Sequence, residues 1–168
     1  MTPRTSDHRH PHAGRARRSL VLGVLVLAAV VSPRWLRINV SPSVPLGLYR
    51  LAPVPAPLVR GTLVLLPVPP RVRAWHAAWV PVLKPVAGLP GERGCHQDHH
   101  RFVHGVSYGP VLPAAQGKAL PHIEGCLVVQ EGEVLLASPV PRSFDARDLG
   151  PGAVTAVTAT AHPLRTWR

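Results

Sequence analysis

Aromatic side chains are scarce in this 168-residue chain, which carries four Trp, two Tyr and two Phe. Acids number eight, and lysine occurs only at Lys84 and Lys118 against 17 arginines, leaving a formal charge of +11. Each scarcity excludes something. With so few aromatics there is no stacking platform interleaved with basic residues. Beyond the N-terminus the arginines are scattered, with no helical stripe. The charge therefore reads as a basic, solvated surface, and no nucleic-acid partner is expected. No internal repeat or heptad pattern occurs, and no apolar run approaches the roughly 20 residues of a full membrane span. What is abundant is Val, Leu and Ala, repeatedly interrupted by 21 prolines and 14 glycines. Short apolar pairs broken by Pro and Gly favour short strands over long helices.

The N-terminus has its own pattern. Arg4, Arg9, Arg15, Arg17 and Arg18, with Asp7 as the one acid, precede the apolar run LVLGVLVLAAVV at 20–31. A basic segment before an apolar run of that length has the form of a signal peptide. No A-x-A cleavage site follows, and the run leaves through Ser32, Pro33, Arg34, Trp35 and Leu36. The reading is a basic cytoplasmic segment at 1–18, a short uncleaved anchor at 19–36 with Trp35 at the interface, and an extracytoplasmic domain at 37–168. Arg34 and Arg37 weaken that charge asymmetry without reversing it. The remaining stretch of about 130 residues is long enough to bury a core. Cys95 and Cys126 both fall in it; in an oxidising compartment they pair, closing a loop of about 30 residues and adding roughly 3–4 kcal/mol. In a cytosolic domain they would instead be two buried thiols.

Three stretches beyond the anchor stand out. NVSPSVPLGLYR at 39–50 sets Ser41 and Ser43 around one proline, with a second at Pro45 and then Gly47 and Tyr49. RGTLVLLPVP at 60–69 reads as a strand opened by glycine and ended by proline, and WVPVLKPVAGLPGERG at 79–94 places Lys84 inside an extended apolar run. A lysine there either snorkels to solvent or is held desolvated, and on the run alone snorkelling is the commoner outcome. That strand ends at Leu89-Pro90-Gly91-Glu92, which suits a type II turn. In PRSFDARDLGPG at 141–152, Ser143, Asp145 and Arg147 alternate, so an extended backbone would put them on one face. Serine needs a base to become a nucleophile. A lysine supplies one if burial lowers its pKa from about 10.4 to about 7–8, a change worth roughly 4 kcal/mol.

In this order, SPSVPLGLY, RGTLVLL, LKPVAGLPGE and SFDARDLGP resemble the type I signal peptidase family of Ser-Lys proteases, and within it the TraF-type conjugal transfer peptidases. The resemblance covers most of the chain. It implies an all-β domain of antiparallel sheets behind a single N-terminal anchor, in the bacterial inner membrane with the domain on the periplasmic side. A groove near the membrane would hold the site, and an apolar patch would face the lipid. It places Ser43 as nucleophile and Lys84 as general base, with the Ser41 hydroxyl and the Ser43 N–H as oxyanion donors. Ser143 would orient the lysine, and Asp145 and Arg147 would form a supporting pair. No cofactor is implied. The implied substrates are exported precursors cut after small residues; TraF-type members process pilin precursors, and some join the new ends into a cyclic pilin. Val44, Thr62, Glu92, Ala146 and Asp148-Leu149 depart from the family pattern without touching nucleophile or base.

Other readings compete. CHQDHHRFVH at 95–104 offers metal-ligand types, but its spacing matches no closed zinc pattern and a solvated hairpin is expected instead; no metal site is assigned. FVHGVSYG at 102–109 reads as a hairpin with Gly105 in its turn. The main alternative function is a non-enzymatic periplasmic β-domain that scaffolds pilus assembly, against which the joint presence of Ser41, Ser43, Lys84 and Ser143 argues. A self-cleaving repressor shares Ser-Lys chemistry but needs an N-terminal DNA-binding domain, for which the basic arm and anchor leave no room.

Overall fold

The apolar pairs become strands, and every strand pairing is antiparallel. The computed structural model describes residues 20–23, 34–70, 80–115, 117–141 and 143–167. From Leu36 onward the chain forms one compact unit. The expected anchor at 19–36 lies mostly outside the described residues, among which no helix is long and apolar enough to cross a membrane.

The larger sheet has seven strands. In spatial order these are β1 (Leu36–Asn39), β2 (Leu46–Ala52), β13 (Ala159–Trp167), β3 (Leu63–Leu66), β4 (Val82–Gly88), β11 (Glu133–Leu136) and β12 (Gly152–Ala153). A four-stranded sheet runs β10 (Cys126–Val128), β5 (Arg93–Gln97), β6 (His100–Val103) and β7 (Val106–Pro110). A small ribbon joins β8 (Ala114–Ala115) to β9 (Lys118–Ala119). Period-2 alternation sends neighbouring residues of the large sheet to different clusters. Val44, Tyr49, Leu51, Leu65 and Leu83 pack on one side. Val64, Val86, Val134 and Leu136 pack on the other.

Turn chemistry follows the residues. Gly91 has φ +83° and the Glu92 N–H donates to Leu89 O at 3.1 Å, closing the expected turn. The β6–β7 hairpin turns at His104 and Gly105, both at positive φ, the combination of a type I′ turn that matches strand twist. Asp98 and His99 make the same positive-φ pair between β5 and β6. Cys95 lies opposite Cys126 across β5 and β10, and the two form the disulfide.

Gly47 answers to space. A Cβ there would sit 2.3 Å from Arg165 O, where the bulged end of β13 crosses β2. Only hydrogen lets the two backbones approach so closely.

Candidate active site

Ser43 sits in the irregular segment between β1 and β2, anchored from below by its neighbours. Val44 is buried in the core, and the buried Tyr49 ring donates its hydroxyl to Pro45 O at 2.6 Å. Two prolines remove backbone donors and restrict φ, so the segment has few N–H groups to satisfy. The Ser43 and Ser41 hydroxyls lie 3.0 Å apart. The Ser43 carbonyl accepts a hydrogen bond from the fully buried Ser138 hydroxyl. Among the described residues the Ser43 N–H has no hydrogen-bond acceptor.

Lys84 comes from β4, paired with Val64 of β3, and only 6 % of it is exposed. Snorkelling, the commoner outcome for such a run, is therefore corrected: strands pair on both sides of β4, and the four-carbon stem ends under protein rather than in water. Its Nζ donates to Ser143 Oγ at 2.6 Å. Burial is the main cause that lowers its pKa to about 8, with Arg147 adding in the same direction and Asp145 and Asp148 opposing. Lys84 and Ser43 line one cleft of about 500 Å³, walled by Arg37–Val40 on one side and Val80–Leu83 on the other. The two functional groups are not hydrogen-bonded to each other. A second, more apolar hollow reaches Lys84 from Leu66, Leu136 and Phe144 but does not include Ser43.

Ser143, Asp145 and Arg147 do converge, but not as alternate residues of an extended strand. Asp145 instead caps a one-turn helix, Ala146–Leu149, with Asp148 completing a capping box. The cap explains the departure: Asp satisfies orphan N–H groups at a helix start better than it pairs in a strand. From there Arg147 folds back on Asp145, donating from Nε to Oδ1 at 3.0 Å and from Nη2 to Oδ2 at 2.9 Å. Its remaining hydrogens reach the carbonyls of Tyr108, Val140, Pro141 and Ser143. The guanidinium thus fixes the backbone of the residue that holds Lys84. Asp145 also accepts from the Ser138 N–H at 2.9 Å, tying this wall to the Ser43 segment. Burial pushes Asp148 up to about 6.

The histidine run forms the expected hairpin, though it is not wholly solvated. The His96 side chain is 8 % exposed, with Nδ1 3.2 Å from the Glu124 carboxylate, and His122 lies on the other oxygen at 2.9 Å. Residues that sequence reasoning passed over are Ser138 and Asn39. Asn39 carried a weak signal, a polar residue ending an apolar strand just before a Ser-Pro turn. Ser138 carried none.

Comparison with known proteins addresses the family of the chain. The family model described as signal peptidase, peptidase S26, matches residues 16–166. The conjugal transfer protein TraF of Agrobacterium fabrum strain C58 is 32% identical over 149 residues, covering 78% of this chain and 82% of the relative. A probable conjugal transfer protein TraF of Sinorhizobium fredii is 29% identical over 179 residues, with 91% and 93% covered. Among solved structures, a signal peptidase I from Enterococcus faecalis V583 matches at TM-score 0.41 and 20% identity, covering 65% of this chain and 98% of that one. Since the S26 model matches most of the chain and its TraF relatives align over most of their length, the protein belongs to the signal peptidase family, peptidase S26.

Proposed function

We propose that this protein is a membrane-bound serine endopeptidase that cleaves leader peptides from exported precursors with a Ser43–Lys84 dyad. The observation that carries the reading is a buried lysine, held by Ser143 Oγ at 2.6 Å, lining the same cleft as a serine. In the neutral form Lys84 accepts the Ser43 proton as Oγ attacks the scissile carbonyl carbon. The Ser43 N–H and the Ser41 hydroxyl face the oxyanion that forms. The Lys84 ammonium returns its proton to the departing amine, leaving an ester on Ser43. Water, deprotonated by Lys84, then hydrolyses that ester and frees the enzyme. Contacts between nucleophile and base are often long without substrate and tighten once it binds, consistent with the absence of a direct Ser43–Lys84 bond.

The relatives' role in conjugal transfer supports a pilin precursor as the substrate of this chain. Leu36, Ile38 and Val40 at one edge of the large sheet, with Leu164 and Trp167 on β13, are exposed and fit a domain held against inner-membrane lipid on the periplasmic side.

Ser43→Ala tests the reading. Expression of the variant with a tagged precursor should leave the precursor uncleaved while the chain stays folded and membrane-associated. Mature product at wild-type levels would reject the dyad and favour a scaffold without catalysis.

A further inference from the structure

The segment that carries Ser43 has almost no secondary structure to hold it, yet its backbone groups are largely accounted for. One side chain does most of this. Asn39, the last residue of β1, is buried. Its Oδ1 accepts from the Ser41 N–H at 3.1 Å. Its Nδ2 donates to Ser41 O at 2.8 Å, Val44 O at 3.1 Å and Pro45 O at 3.1 Å. An amide nitrogen has two hydrogens, so three acceptors require one to be shared. The side chain therefore spans the loop from residue 41 to residue 45, bracketing Ser43, and grips carbonyls on both sides of it. With those carbonyls turned inward onto Asn39, and that of Ser43 onto Ser138, the Ser43 N–H is left without an acceptor among the described residues.

We propose that Asn39 is a positioning residue that presets the oxyanion-binding arrangement of Ser41 and the Ser43 N–H; this rests on the Ser-Lys reading above. The physical need is specific. Oxyanion donors are effective when they are already aimed and need no reorganisation during the reaction. A loop built around two prolines has few N–H groups with which to lock itself. Asn is suited to the task because it alone, at this length, offers an acceptor for one backbone N–H and donors for carbonyls at once. Asp would keep the acceptor and turn a charged oxygen on three carbonyls. Leu would fill the space and leave those groups buried and unpaired.

The prediction separates this role from simple support of the fold. Asn39→Ala should lower kcat by about 10²-fold, on the scale of losing one oxyanion donor. KM should stay within about twofold, since the Asn39 amide groups are already taken up by the loop backbone. The acidic limb of the kcat/KM profile should not move, because Lys84 and its partners are untouched. In a double-mutant cycle with Ser41→Ala, the paired variant should lose little more than the worse single, since both act on one arrangement. Asn39→Ser, which keeps a short hydroxyl near the Ser41 backbone but cannot span to Val44 and Pro45, should fall between wild type and Asn39→Ala. It also serves if the alanine variant does not fold. Additive losses, or kcat within twofold of wild type for both variants, would overturn the assignment while leaving the dyad standing. A wild-type chain that cleaves no precursor would remove the dyad and this role together.

Discussion

Two arginines are each buried to 1 % exposure, one serving each sheet, and they are treated in opposite ways. Arg147, in the connection from β11 to β12, has every N–H engaged, by one carboxylate and four carbonyls. Arg101, on β6 of the four-stranded sheet, donates from Nη2 to Ile123 O at 2.7 Å and more distantly to Arg147 O at 3.5 Å. Its Nε and Nη1 have no partner among the described residues, and the cross-strand His96 meets the Glu124 carboxylate at 3.2 Å without hydrogen-bond geometry. The contrast shows where polar order is concentrated. In the wall beside Lys84 the Arg147 guanidinium is paired to its last hydrogen, and the covalent Cys95–Cys126 link holds the other sheet. A buried network that is complete is rigid, and one that is partial is costly. The complete network is the one next to the cleft.

The sharpest way to break that contrast is at Lys84 itself. Lys84→Arg should abolish turnover, because guanidinium keeps the charge and does not deprotonate in a protein. In the wild type the active form is the neutral amine, so kcat/KM should rise with pH and level off above about 8, the value to which burial lowers Lys84. Below that it should fall about tenfold per pH unit. A pH profile flat from 6 to 9, or near-normal turnover in the arginine variant, would show that Lys84 only fills space.

Arg147 comes next. Arg147→Met should cost about 3–5 kcal/mol in denaturant unfolding, since it strands the buried Asp145 carboxylate without its partner. If enough of the variant folds to assay, the acidic limb should move to higher pH. Arg147 is one of the causes holding the lysine down, and the remaining Asp145 charge holds it up. A limb that stays in place would separate the supporting wall from the base.

Much of this wall was legible from residues alone, and the illegible part has a common cause. Local patterns, a Ser-Pro turn, a lysine inside an apolar run and an alternating polar run, marked Ser41, Ser43, Lys84 and Ser143 as candidates, and the family resemblance supplied their roles. The strand-ending prolines and the Gly91 and Gly105 turns were equally local, because φ preference belongs to the residue. Alternation misled at Asp145, where capping competes with extension and wins. At Lys84 the rarity of buried lysines misled, because its burial depends on strands distant in sequence closing over β4. Asn39 and Ser138 went unread because their importance lies in carbonyls they reach, which no spacing encodes. Gly47 is similar: the backbone it accommodates belongs to β13, far along the chain.

The smallest expected effect lies at Arg101, and it tests the contrast from the other side. Burial lowers the pKa of its guanidinium, while the Asp148, Glu124 and Asp145 carboxylates favour its charge. No carboxylate is hydrogen-bonded to it. A buried cation with two unpaired nitrogens loses hydration that its distant partners do not fully restore. Replacing it by an apolar side chain of similar length removes both the unpaired donors and their desolvation cost. Arg101→Met should therefore leave unfolding free energy within about 1 kcal/mol of wild type, or raise it, where the same change at Arg147 is severe. Turnover should not change, because Arg101 touches the site only through a 3.5 Å contact to the Arg147 carbonyl. Chemical denaturation of the two methionine variants side by side decides the matter. Equal, large losses would mean that Arg101 is as fully engaged as Arg147, and that the four-stranded sheet carries a polar network of the same quality as the one beside Lys84.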